Sequence, residues 1–101
     1  MKIKSLETFC RGTQLGVVRV RTDDCAEGWG QLSTFNADIT ATVLHRQLAP
    51  CVLGADAEDL DALVDRCIEA TYKFPGSYVC RALTGVDTAL WDLRGKLEGK
   101  S

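Results

Sequence analysis

Hydrophobic and polar residues alternate along the first third of the chain. In the segment 15–22, valines alternate with arginines, which is typical of a strand with one exposed face. Turn-forming residues fill 22–28 and predict a hairpin loop, after which 29–32 returns as the partner strand. Apolar residues in 2–9 suit a third strand. The pattern therefore predicts a three-stranded antiparallel meander.

From residue 36 onward, apolar positions repeat at intervals of three and four, the period of a helix. Asn36 is predicted to cap the first helix and Pro50 to close it. Asp56 is predicted to cap the second helix, with further acidic residues in its first turn. The predicted apolar positions are Ile39, Val43, Leu44 and Leu48 in the first helix, and Leu60, Leu63, Val64, Cys67 and Ile68 in the second.

A third helix is predicted between the Pro75-Gly76 break and Gly99, and it has two apolar faces. Trp91 lies about 130° from the centre of its leucine stripe on a helical projection. A helix that is apolar in two directions usually lies between two bodies. We therefore expect this chain, which stops at Ser101, to be a piece of something larger. The main stripe comprises Leu83, Val86, Leu90, Leu93 and Leu97, and a neighbouring stripe of small residues comprises Ala82, Gly85 and Ala89.

Strands followed by helices indicate an α+β fold with three helices packed on one face of the sheet. The 101 residues are enough for one domain with a modest core. A (β/α)8 barrel needs about 250 residues and cannot be contained in this chain.

The charge balance excludes no enzyme class but argues against polyanionic partners. Twelve basic and 14 acidic residues leave a net charge of −2, which gives no reason to expect nucleic acid or an anionic membrane as partner. No leader pattern and no apolar run near the ~20 residues of a membrane span occur, so we expect a cytoplasmic chain.

Cysteine usage favours reduced, structural thiols. The five cysteines are an odd number, widely separated, and contain no C-x-x-C pair for zinc. Cys67 falls on the apolar face of the second predicted helix, so we interpret it as a core residue.

Few residues could carry chemistry. His45 is the only histidine, lies far from its helix's apolar face, and is interpreted as solvated. Asp23-Asp24 could be a metal-binding pair, although turn chemistry explains it better. Arg19 and Arg21 make a weak basic patch at most. The remaining acidic residues, Glu58, Asp59, Asp61 and Asp65, divide between the capping turn and the solvent face of their helix.

Three segments in order resemble a known family. They are the opening strand 1–9, the hairpin 23–31 and the helix 87–96. The last two are similar to the patterns "DDGxxGWGE" and "DxALWDLxGK". Together they resemble the N-terminal capping domain of the enolase superfamily, in its mandelate racemase and muconate lactonizing enzyme branch, over nearly the whole chain.

The resemblance implies a catalytic (β/α)8 barrel after residue 101, absent from this chain. There, a Lys or His base would remove the proton α to a substrate carboxylate, and Mg²⁺ held by barrel carboxylates would stabilise the enediolate that forms. The intact protein would be an isomerase or lyase: a racemase or epimerase, an acid-sugar dehydratase, or a cycloisomerase. This chain alone would hold no catalytic residue and no metal, and show no activity. The intact protein would form a homo-oligomer.

The resemblance also implies that two loops cap the substrate and exclude water. In the first loop, 10–14, the side chains of Arg11, Thr13 and Gln14 could hydrogen-bond a polar substrate tail. The alternative is that this loop is a plain hairpin connection. In the second, 32–36, Phe35 could pack over the substrate, or it is a hydrophobic staple for the first helix. The short polar first loop favours a sugar-acid-like carboxylate substrate, and hence dehydration or epimerisation.

Two residues depart from the family pattern. Cys25 stands where glycine is usual, so the turn must avoid positive φ or be strained. Gln31 replaces the usual Glu, which removes a charge but keeps hydrogen-bonding capacity. The alternative function is that of a free-standing α+β interaction or binding module, in which the third helix docks a protein.

Overall fold

The computed structural model describes residues 2–32, 34–71 and 76–97. Its three strands form one antiparallel sheet in the order β1-β2-β3, which confirms the predicted meander. The strands are β1 Ile3–Arg11, β2 Leu15–Thr22 and β3 Glu27–Gln31.

The helices confirm the predicted α+β class. They are α1 Ala37–Val43, a π-helical turn Leu44–Leu48, α2 Ala49–Val52, α3 Leu60–Ala70 and α4 Ser77–Leu97. The elements α1, the π-helical turn and α2 follow one another without a gap, and together they correspond to the first predicted helix. The ends predicted from Pro75 and Gly99 lie outside the described residues.

One face of the sheet is buried beneath the helices. Val18 pairs with Gly30, and Val20 pairs with Gly28. Both valines are fully buried, while the intervening Arg19 lies on the opposite face. The core therefore lies between this inner sheet face and the helices, as the alternation in β2 predicts.

The first helix begins after Asn36, its predicted N-cap, but ends later than predicted. Asn36 adopts the left-handed conformation (φ 51°, ψ 52°), and its side chain makes no capping hydrogen bond. Pro50 does not close the helix, because it lies in the first turn of α2, where its missing N–H is tolerated. Ile39, predicted to be buried, is 43% exposed. The helical path continues to Val52.

The second helix begins later than predicted. Asp59, rather than Asp56, is its N-cap, and its Oδ1 accepts from the Ala62 N–H at 3.4 Å. Asp56 Oδ1 instead accepts from the Glu58 N–H at 3.0 Å, which forms a local turn before the helix. Ile68 is 53% exposed because it lies about 100° around α3 from its buried positions.

The small-residue stripe of α4 packs directly on β3. A Cβ at Gly28 would collide with the carbonyl oxygen of Ala89, and a Cβ at Gly30 with that of Gly85. Gly28, Gly30, Gly85 and Ala89 are all buried. The predicted close approach is thus confirmed. Leu97 departs from the predicted apolar stripe, since it is 47% exposed.

A carboxylate reinforces this contact. Asp92 of α4 accepts the backbone N–H of Trp29 at 2.8 Å and pairs with Lys96 at 3.0 Å. The Trp29 N–H is the main cause that lowers the pKa of Asp92, followed by the hydrogen bond and charge of Lys96. The Asp92 side chain therefore links the Trp29 backbone amide of β3 to α4.

The core position predicted for Cys67 is confirmed, whereas three of the five free cysteines, Cys10, Cys25 and Cys80, are exposed. Cys67 is fully buried in the core, and burial raises its pKa to about 11. No described helix combines the length and apolar character that crossing a bilayer requires.

We predict that Gly28→Ala destabilises the domain by about 3 kcal/mol or prevents folding, because the new methyl group would force β3 away from α4. Gly76→Ala is the matched control, since nothing lies within 4 Å of its Cβ position. Its effect should stay within about 1 kcal/mol. Urea unfolding measures both, and equal stability of the two variants would contradict the close packing.

We predict that Asp92→Asn lowers the free energy of unfolding at pH 7 by about 1 kcal/mol, because a charged acceptor is lost. The pKa of Asp92 is lowered by folding, so its contribution is present above the unfolded pKa and lost as pH falls through the folded pKa. Wild type and variant should therefore converge in unfolding experiments as the pH falls below the usual range of an aspartate pKa. A difference that is independent of pH would contradict this role.

Candidate functional site

The two predicted capping loops lie side by side at one end of the sheet. The Thr13 carbonyl accepts the Ala37 N–H at 2.7 Å, and the Gly16 carbonyl accepts the Leu32 N–H at 2.8 Å. These bonds join the β1-β2 hairpin to both ends of the 32–36 segment. The structure thus brings together loops whose centres are about 20 residues apart in sequence.

The first loop is a tight hairpin. Gly12 has φ 66°, a conformation that glycine adopts without strain. Arg11, Thr13 and Gln14 are all exposed around it. Their side chains therefore present a guanidinium, a hydroxyl and an amide at the end of the sheet.

Phe35 in the second loop is 61% exposed and lies beneath the Arg81 guanidinium, 5.3 Å from its ring centre. A hydrophobic staple would need an apolar partner one turn into α1, where the chain has Thr40. Contact with α4 is therefore the better description of Phe35.

The first turns of α4 hold the second loop. The Asn36 side-chain amide donates to the Tyr78 hydroxyl at 2.9 Å, and the Tyr78 ring also lies beneath Arg81, 5.6 Å from its centre. Tyr78 and Arg81 were missed as site residues at the sequence level. Nothing local marks them, because their partners lie more than 40 residues earlier in the chain.

An open groove of about 440 Å³ lies beside the second loop. It runs between the end of β3 and the exposed side of α4. Its lining residues are Gln31, Leu32, Thr34, Cys80, Arg81 and Thr84.

The predicted basic patch on the outer sheet face is not a free positive surface. Arg19 Nε and Nη2 donate to the two carboxylate oxygens of Glu7 at 3.1 and 2.6 Å. The guanidinium lies 5.3 Å from the ring centres of both Phe9 and Trp29. The hydrogen bond from Arg19 is the largest cause that lowers the pKa of Glu7. This face carries a compensated ion pair.

The remaining candidates have structural partners. Asp23 accepts the Lys2 N–H at 3.2 Å, and Asp24 accepts the Thr22 hydroxyl, as the turn interpretation predicts. Cys25 has φ 68°, so the turn is strained there. His45 is exposed, as predicted, and hydrogen-bonds the Thr8 hydroxyl at 2.8 Å.

A magnesium site does not fit the described part of this chain. Across residues 2–32, 34–71 and 76–97, no three His, Cys, Asp or Glu side chains gather closely enough to hold a metal ion. No metal-dependent step is therefore assigned to these residues.

Comparison with known families identifies the domain type. Residues 4–101 match the family described as mandelate racemase / muconate lactonizing enzyme, N-terminal domain. The match covers nearly the whole chain.

Three relatives illustrate the similarity. A crystal structure of a protein from Roseobacter denitrificans, assigned as a racemase, is 61% identical with a TM-score of 0.92, and the match covers 98% of this chain and 27% of that one. A Streptomyces coelicolor racemase crystallised with bound magnesium is 32% identical with a TM-score of 0.84, covering 95% and 31%. A D-galactonate dehydratase family member from Paenibacillus is 32% identical over 99 residues, covering 96% and 24%. The chain thus spans about a quarter to a third of these proteins.

We predict that Tyr78→Phe loosens the second loop while keeping the aromatic ring beneath Arg81. Stability should fall by about 1 kcal/mol, and hydrogen exchange of the amides around Asn36 should accelerate. Thr88→Val is the control, because the Thr88 hydroxyl bonds only within α4, to the Thr84 carbonyl at 2.9 Å. Unchanged hydrogen exchange near Asn36 in Tyr78→Phe would argue that the Asn36–Tyr78 hydrogen bond does not hold the second loop.

Proposed function

The chain belongs to the mandelate racemase / muconate lactonizing enzyme family as an N-terminal domain, and from that premise we propose that it caps the active site of an enzyme that abstracts the proton α to a carboxylate. The observation that carries this proposal is the convergence of the two loops through the Thr13–Ala37 hydrogen bond. Loops held together at one end of a rigid sheet can cover a cavity and exclude water from it.

The catalytic domain in this proposal is a C-terminal (β/α)8 barrel that follows residue 101. Its support is length, because the matched relatives are about three to four times as long as the matched region. The barrel would supply the base and the carboxylates that hold Mg²⁺, whose chemistry is to stabilise negative charge developing on the substrate. Bound magnesium in the Streptomyces racemase supports this choice of metal. This chain alone would not turn over substrate.

The proposed substrate is a hydroxylated carboxylate of the sugar-acid type. Arg11, Thr13 and Gln14 offer donors to hydroxyl groups from the first loop, and Phe35 offers an apolar surface from the second. The similarity to a D-galactonate dehydratase family member supports the same class. Dehydration and epimerisation both begin with removal of the α-proton, so either product is consistent with this cap.

Loss of deuterium from an α-deuterated sugar acid tests the proposal in the full-length protein with Mg²⁺, because epimerisation and dehydration both remove the hydrogen at that position. We predict that Phe35→Ala lowers kcat/KM for a sugar acid about tenfold, mainly through KM, because a binding surface over the substrate is lost. Arg46→Ala, an exposed change on the π-helical turn, should stay within about twofold. Absence of α-deuterium loss across a panel of sugar acids, or equal losses of kcat/KM in the two variants, would refute the proposal.

A further inference from the structure

The groove beside the second loop is an open depression of about 440 Å³ with a mixed lining. Other open depressions of about 510 and 500 Å³ lie elsewhere on the surface, so the lining of this groove, and not its size, marks it. Leu32 and Cys80 supply apolar surface, whereas Gln31, Thr34 and Arg81 supply polar groups. Such a mixture suits a ligand with one charged end and several hydroxyls.

Arg81 is held in place without a charged partner. Its guanidinium lies over Phe35 and Tyr78, and the residue is half-buried. Arg19, by contrast, is bonded through two nitrogens to Glu7. Within the described ranges, no carboxylate lies at ion-pair distance from Arg81. Contact with the rings uses none of the five N–H donors of a guanidinium in a conventional hydrogen bond, so they are available to an anion.

None of the described residues that line the groove is acidic. Gln31 lines it together with Arg81 and supplies a neutral amide. The site is therefore left with one cation and an amide that can both donate and accept.

The hydroxyl groups divide into committed and available ones. Thr84 donates its hydroxyl to the Cys80 carbonyl at 2.8 Å, which leaves it only as an acceptor. Thr34 is exposed at the rim of the groove. A ligand hydroxyl could therefore donate to Thr84 while its carboxylate accepts from Arg81.

We infer that this groove is a carboxylate-binding site in which Arg81 binds the anion and Gln31 and Thr84 bind neighbouring hydroxyls. The proposed occupant is a free hydroxy acid, because the groove offers hydroxyl-binding groups beside Arg81. The inference rests on the proposed function only for the choice of a sugar acid as probe.

Heteronuclear NMR titration of the 101-residue chain tests the site. D-Galactonate should give saturable shifts at the amides of Gln31, Thr34 and Thr84, whereas galactitol, its uncharged counterpart, should give none that saturate. Arg81→Gln should weaken galactonate binding about tenfold or more, since a charge-assisted pair is lost. Arg46→Gln, on the π-helical turn, should change it less than twofold.

Gln31→Glu provides a second variant that leaves Arg81 in place. Its new carboxylate lies in the same groove, so it should pair with Arg81 and weaken galactonate binding about as much as Arg81→Gln does. Unfolding midpoints measured on all variants confirm that each is folded at the titration temperature.

N-Acetylglutamate α-amide, which carries a carboxylate but no hydroxyl groups, is the comparison ligand. Clearly weaker binding than that of galactonate supports the hydroxy acid, and equally tight binding overturns it in favour of an acidic protein side chain. The inference is overturned if neither acid saturates the groove, or if Arg81→Gln binds galactonate like wild type. This titration involves no turnover. A negative result would therefore overturn the carboxylate site without contradicting removal of the substrate α-hydrogen by the full-length protein.

Discussion

The close contact between α4 and β3 is the constraint on which the rest of the domain depends. Gly28 and Gly30 meet the backbone of α4 at Gly85 and Ala89, where any side chain on β3 would collide with a carbonyl oxygen. Such a contact fixes the height, rotation and axial position of a 21-residue helix at once. Asp92 then bonds a β3 amide and prevents the helix from sliding.

The same placement builds the candidate site. Since α4 is held along β3, its first turns come to lie beside the second loop, where Tyr78 receives the Asn36 amide and Arg81 lies over Phe35. The first loop joins from the other side through the Thr13 carbonyl. A long helix, locked at its middle by glycine contacts, thereby positions loops near its N-terminal end. The packing of α4 on β3 in the core therefore also determines the geometry of the candidate site.

Much of the fold was predictable from local pattern, and most of the site was not. The alternation in β2 and the stripe of small residues in α4 indicate which face of each element is buried. They do so because the spacing of apolar residues along the chain matches the period of the strand or helix. Asn36 occupies the N-cap position as predicted, but its side-chain amide donates to Tyr78, 42 positions away, a contact that no local pattern reveals. Arg81 went unnoticed for the same reason. The loop residues were named through a family resemblance, and their contact with substrate remains a prediction.

The most direct test of the account is the intact mass of the native protein, read together with the coding sequence beyond Ser101. The account predicts about 250 further residues, with lysines and acidic residues at successive strand ends of a barrel. A native mass of 11.0 kDa, that of this chain alone, would contradict it. The domain would then be a binding module, and the loops would cap no active site.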